Sequence, residues 1–157
     1  MIANVFQLFG IFPFDYYFHQ IPHKKDPMEF RKLSEQEEII GKAIVHAAYK
    51  VHSVLGPGLL EKIYELCLVH ELKKAGFKTD RQVDLPIHYD GIVFDAGLRL
   101  DILVGDAVIT EVKAVDRINP VWPAQVLSHL KLTNLRLGYL INFNVAQIKD
   151  GIRRFVI

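Results

Sequence analysis

Three ionisable residues, Asp101, Glu111 and Lys113, stand inside apolar stretches. Asp101 is flanked by Leu98, Leu100, Ile102, Leu103 and Val104, and Glu111 and Lys113 lie among Val108, Ile109, Val112 and Val115. Charges set into apolar strands need partners or a cation, because leaving one buried and unpaired is strongly unfavourable. Two apart on one strand, Glu111 and Lys113 share a face at a spacing of about 6.6 Å. Whether Asp101 joins them depends on the turn between the two strands. A two-residue loop would pair Val104 with Ala107 and send Asp101 and Glu111 to opposite faces. A three-residue loop, Gly105-Asp106-Ala107, pairs Val104 with Val108 and sets Asp101 across from Glu111, with Cβ atoms roughly 5 Å apart. We expect this register, or an equivalent bulge. Two carboxylates so placed repel unless a cation lies between them, and a hard divalent ion with oxygen ligands fits. Spacing alone leaves a second reading open, a solvated hairpin face whose charges pair across the strands.

The flanking elements follow from periodicity. Ser34-Glu35-Gln36-Glu37 is a capping box, after which Ile40, Ile44, Ala47, Val51 and Val54 recur at helical spacing. Gly56-Pro57-Gly58 ends that helix and opens a second, which runs to about Ala75 with Gly76 as its C′ residue. The apolar arc of the second helix, from Leu59 and Leu66 to Leu68 and Leu72, is broad, so this helix is expected to be largely buried; Tyr64 packs in the core with its hydroxyl on a partner, and Glu65 faces solvent. Val83, Leu85, Ile87 and Tyr89 then alternate up to an Asp90-Gly91 hairpin turn. Leu98–Val104 and Val108–Val115 read as two more strands, Val121–Thr133 as a helix, and residues 136–143 as an interior strand. The tail from Ile148 is a strand, or a short helix and then a strand. The expected order is α-α-β-β-β-β-α-β-(β), an α/β (α+β) chain with a central mixed sheet flanked by helices.

Composition narrows the function classes. The chain has 157 residues, 50% apolar and 24% charged, which suits one globular domain. A net charge of +1 is not the basic balance of a dedicated duplex binder. The single cysteine, Cys67, excludes an internal disulfide and reads as a core side chain. The histidines, His129 among them, show no zinc-ligand spacing. Residues 1–30 differ from the rest. The aromatic run from Phe6 to Phe18 is interrupted by Pro13 and Asp15, has no basic residue before it, and is too short to cross a bilayer. We read residues 1–30 as a loosely attached extension and 31–157 as the domain, with Met28 a candidate start that the N-terminal mass of the native protein decides.

Asp101, followed about ten residues later by Glu111-Val112-Lys113, resembles the D…(E/D)-X-K signature of the PD-(D/E)XK nuclease superfamily. Gly58-Leu59-Leu60-Glu61-Lys62-Ile63-Tyr64 is similar to the motif that names the GxxExxY proteins, a small branch of it. The Leu100-Asp101 strand, Glu111-Val112-Lys113-Ala114-Val115, Ala124-Gln125-Val126-Leu127 and Leu140-Ile141-Asn142-Phe143 extend the match over about residues 36 to 157. Leu100 stands where that signature has proline. The resemblance implies a restriction-endonuclease-like core, and Mg²⁺ or Mn²⁺ held by Asp101 and Glu111 with the Val112 carbonyl and waters, Glu61 being a further ligand. It implies that Lys113 orients or helps deprotonate a water and stabilises phosphate charge, and that Gln125 bonds that water or a phosphate. The implied activity is hydrolysis of nucleic-acid phosphodiesters, DNA before RNA, in the cytoplasm and without integral membrane association. A homodimer is left open. The alternative is a binding module that keeps the fold without catalysis. Arg81, Arg99, Arg117, Lys131, Arg136, Arg153 and Arg154 are candidate phosphate contacts.

Overall fold

A computed structural model describes residues 32–157. The expectations for residues 1–30, including a start at Met28, fall outside the described residues. The elements run α1 (Glu35–Leu55), α2 (Glu61–Lys74), β1 (Thr79–Tyr89), β2 (Ile92–Val104), β3 (Val108–Lys113), α3 (Val121–Thr133), β4 (Leu137–Asn142), α4 (Ile148–Gly151) and β5 (Ile152–Val156). The strands form one five-stranded mixed sheet in sequential order, with β3 and β4 parallel and every other neighbouring pair antiparallel.

The local signals act as their chemistry requires. Ser34 Oγ accepts from the Glu37 amide at 3.2 Å, and the Glu37 carboxylate accepts from the Ser34 amide at 2.7 Å, so α1 starts on a reciprocal cap. Gly76 takes φ +89° just past α2, where the Phe77 amide reaches back to the Leu72 carbonyl at 3.1 Å. Asp90 and Gly91 both have positive φ and close the β1–β2 hairpin in two residues, the geometry that matches strand twist.

Three expectations change. The second and third anticipated strands are one continuous β2, which makes the order α-α-β-β-β-α-β-α-β. Gly97 permits this continuity, since a Cβ there would meet Ile87 Cδ1 at 2.5 Å. α2 is not largely buried: Tyr64, Leu68, Val69 and Leu72 face inward, while Ile63 and Leu66 are exposed, as are Leu59 and Leu60 just before the helix, Leu60 at 76%. Its apolar arc is wider than the face that one helix can press onto its neighbours. Glu65 does not face solvent; it is buried and bonded to Arg81 and Gln82.

Two apolar layers sandwich the sheet. On one side Ile40, Ile44, Leu68 and Leu72 of the first two helices cover Ile102, Val104, Val108, Val112, Leu137 and Ile141. On the other, Val126 and Leu130 of α3 cover Leu98, Leu100, Ile109 and Leu140. Gly138 lets α3 lie close on β4, because a Cβ there would meet Val126 at 3.0 Å and Leu130 at 3.4 Å. Along β3 the alternation is strict, so Val108 and Val112 face the first layer while Ile109, Glu111 and Lys113 share the α3 face. Among the described residues no helix is long and apolar enough to cross a membrane.

Candidate functional site

The β2–β3 turn has the three-residue register. Val104 pairs with Val108, Leu103 with Ile109 and Ile102 with Thr110, after which the ladder stops. Gly105 and Asp106 both carry positive φ, and the Ala107 amide bonds the Val104 carbonyl at 3.1 Å. Beyond Ile102 the strands part, and the Asp101 carboxylate bridges the gap: Oδ2 accepts from the Val112 amide at 3.0 Å, a donor that a longer ladder would have used. The parting is tied to an irregularity in β2. Leu98 and Leu100 pack with Leu103 in the α3 layer, whereas Ile102 and Val104 pack in the opposite layer, so alternation breaks at Asp101. The position facing Asp101 on β1 falls to Gln82, between the Arg81–Ile102 and Val83–Leu100 pairs, and Gln82 has φ +52°. A non-glycine residue in the left-handed region is uncommon and marks a backbone held there by its surroundings.

The gap lets side chains from both layers meet. Lys113 Nζ lies 2.8 Å from Glu111 Oε1, 3.7 Å from Asp101 Oδ2 and 4.0 Å from Glu61 Oε1. Gln125, from the first turns of α3, donates to Glu111 Oε1 at 3.2 Å. Every side chain expected at the site from the sequence, namely Glu61, Asp101, Glu111, Lys113 and Gln125, therefore enters one cluster. Val112 contributes through its amide, on Asp101. Glu61 arrives from the start of α2 because the preceding corner is fixed. Gly58 has φ +95°, and the Tyr64 hydroxyl donates to the Gly56 carbonyl at 2.7 Å and accepts from the Leu59 amide at 3.1 Å, with its ring stacked on Phe143 at 4.6 Å.

Burial sets the electrostatics. Glu111 is only 2% exposed. Burial, reinforced by the negative charge of Asp101, pushes its carboxyl up to about 7 although Lys113 pulls the other way. For Lys113, burial works to discharge the ammonium, but the bond from Glu111 and the charges of Glu111, Asp101 and Glu61 outweigh it, so the net shift is upward and Lys113 is a cation at neutral pH. Glu61 is raised, by partial burial first, against the opposing pull of Lys113 and with help from Asp101 and Glu65.

Five participants escaped the sequence reading. Gln82 donates to Glu65 at 3.0 Å and to Asp101 Oδ1 at 3.4 Å, joining α2 to β2. Glu65, four residues after Glu61 on one helix face, anchors that bridge. Trp122 lies under the Lys113 ammonium, 5.8 Å from ring centroid to nitrogen. His129, one turn after Gln125, puts Nδ1 3.8 Å from Glu111 Oε2. Asn142 gives the outgoing loop its shape: it donates to the Val115 carbonyl at 2.8 Å and accepts from the Val115 amide at 3.0 Å. The proposed phosphate contacts divide. Arg81, Arg99 and Arg154 are engaged by Glu65, Asp84 and Glu38 in ion pairs of 3.2, 2.7 and 2.6 Å, which removes them from a ready-made anion patch.

Among the described residues no three acidic, imidazole or thiol side chains form a preformed cage for a metal ion. The reason is visible in the distances, since the Lys113 ammonium sits among the three carboxylates. The donor set nevertheless suits a hard cation. It consists of carboxylate oxygens of Asp101, Glu111 and Glu61, all brought within 4.0 Å of one ammonium nitrogen. Magnesium in particular is commonly bound through only one or two carboxylates and keeps several waters.

Compared with known families, residues 38–155 match the model of the PD-(D/E)XK nuclease superfamily. The match spans most of the chain, and the protein belongs to that superfamily. No curated protein and no solved structure matches it. The mixed sheet flanked by helices is the architecture expected of a restriction-endonuclease-like core.

Proposed function

We propose that this protein is a Mg²⁺- or Mn²⁺-dependent nuclease of the GxxExxY branch, hydrolysing phosphodiester bonds of nucleic acid, with DNA favoured over RNA. The observation that carries the reading is the convergence of Asp101, Glu111 and Lys113 at the parting of β2 and β3, within 3.7 Å of one ammonium nitrogen. The branch assignment rests on Gly58, Glu61 and Tyr64. The glycine turns the chain, the glutamate enters the site and the tyrosine locks the corner between them. In this reading residues 31–157 are the nuclease domain, residues 1–30 are an extension to it, and the protein works in the cytoplasm.

Asp101, Glu111, Glu61 and the Val112 carbonyl would hold the cation, which when bound supplies Lewis-acid stabilisation of the phosphate and an acidified water. Lys113, charged at neutral pH, donates to a phosphate oxygen rather than accepting a proton, and stabilises charge developing there. Gln125 donates its amide to Glu111 in the resting site, and in this reading it would orient the attacking water. Glu111 and Asp101 keep Lys113 ionised until substrate arrives.

The test incubates plasmid and single-stranded substrates with the protein in Mg²⁺ or Mn²⁺, beside Lys113→Ala and Asp101→Asn. Metal-dependent cleavage lost in both variants is the expected result. Binding that survives in parent and variants alike, with cleavage by none, overturns the enzyme and favours the non-catalytic module.

A further inference from the structure

The two oxygens of Glu111 are treated unequally. Oε1 receives Lys113 at 2.8 Å and Gln125 at 3.2 Å, while Oε2, which is buried, receives nothing. Facing Oε2 at 3.8 Å is His129 Nδ1, which is likewise buried and without a partner. The ring belongs to α3, and its spacing of four from Gln125 puts both on the helix face that meets β3. An unsatisfied carboxylate oxygen in a dry interior is costly, and two such atoms rarely face each other without bonding.

We propose that His129 is the positioning residue for the Glu111 carboxylate: its Nδ1–H donates to Oε2 from the interior, so that the carboxylate is gripped from behind as well as from the open side. This inference rests on the nuclease reading for its purpose but not for its geometry. The separation exceeds a hydrogen bond by roughly 1 Å, a gap that a modest rotation about the Glu111 side chain closes; active-site hydrogen bonds are commonly long in the unliganded state. With Glu111 ionised, the opposite tautomer would aim a bare nitrogen lone pair at a carboxylate, which is repulsive, so the ionised arrangement selects the Nδ1–H form. Pinned at Oε2, the carboxylate plane can no longer swing, and Oε1 keeps its lone pairs toward the gap where Asp101, Lys113 and a cation compete for them. Partners that orient a liganding group in this way typically contribute 10–100-fold in metal affinity, by the order of magnitude seen for such contacts.

The test uses the full chain, with His129→Asn, whose amide N–H lies near the place of Nδ1–H, and His129→Leu, which has no donor. Long-range ¹H–¹⁵N correlation of the imidazole in chelator, at alkaline pH where Glu111 is ionised, is expected to show Nδ1 protonated and Nε2 bare. Mn²⁺ titration by calorimetry is expected to weaken roughly 10–100-fold in His129→Leu and to recover most of that loss in His129→Asn. The Nε2–H tautomer, or equal weakening in both variants, overturns the proposal and reduces His129 to packing, without touching the nuclease reading. Conversely, a parent that shows the Nδ1–H form and asparagine rescue of Mn²⁺ binding but never cleaves nucleic acid defeats the nuclease reading and leaves the positioning role standing.

Discussion

Replacing Glu111 by glutamine should abolish activity and, in chelator at alkaline pH, make the protein more stable. The ionised carboxylate is buried, lies near Asp101, and has one oxygen without a donor. At about 1.4 kcal/mol per pH unit, the rise of its pKa from 4.5 to about 7 corresponds to about 3 kcal/mol lost on ionisation in the folded state. The sign is fixed by the direction of the shift. A carboxyl whose folded pKa lies above its unfolded value favours folding fully below pH 4.5, and that contribution is lost as pH rises through about 7. Glutamine has no charge to desolvate, can keep its carbonyl oxygen on Lys113, and turns its amide toward His129 Nδ1, which accepts once the ring takes the Nε2–H tautomer. Urea denaturation in EDTA at pH 5 and pH 8 is the assay. The parent should lose stability between these values, whereas Glu111→Gln should hold nearly constant and exceed the parent at pH 8 by about 2–3 kcal/mol. On a domain of this size that is roughly 4–12 °C in melting temperature. Saturating Mn²⁺ should raise the parent and leave the variant where it was. A Glu111→Gln variant no more stable than the parent at pH 8 in EDTA refutes the picture of Glu111 as a carboxylate kept under desolvation for a cation.

Lys113→Met keeps the aliphatic stem but removes the ammonium between Glu111 and Asp101, and should lower stability at pH 8 in chelator by roughly 3 kcal/mol; urea midpoints unchanged within error at pH 8 would count against the ion cluster. Tyr64→Phe retains the stack on Phe143 and removes the hydroxyl from the Gly56 carbonyl and Leu59 amide, a loss of about 1–2 kcal/mol by urea titration. It should also reduce cleavage, since Glu61 follows that corner; full activity would show that the corner does not position Glu61. Gly138→Ala forces a methyl against Val126 and Leu130, pushing α3 off β4 at an expected loss of about 1–3 kcal/mol. Because Gln125 and His129 ride on α3, its Mn²⁺ affinity should fall too, and undisturbed affinity would mean that α3 does not seat Glu111.

The alternation of apolar residues revealed β3 in the sequence because β3 is regular: Glu111 and Lys113 share a face by period alone, and the three-residue loop followed from asking which register lets Asp101 reach them. The same rule misplaced Glu65 for a physical reason. It assumes that each element hides one face, whereas the site lies where β2 and β3 part and contacts pass between layers. Glu65 looked like a surface carboxylate because nothing in its own helix signals that Gln82, with positive φ on the next element, turns inward to meet it. The exposed leucines of α2 failed in the opposite sense, since apolar character states a tendency to be covered and not how much area the neighbours supply. His129 was invisible for a third reason. Its neighbours Leu127 and Leu130 make it read as one more residue of a core-facing helix, and its meaning comes only from the single carboxylate oxygen opposite. Asp101 was legible through its register, but the break in strand alternation that puts its carboxylate on the Val112 amide was not. A substitution that restored regular pairing at Gln82 and Asp101 would lengthen the β2–β3 ladder, hand the Val112 amide to the backbone, and close the gap through which Glu61 and Lys113 now meet.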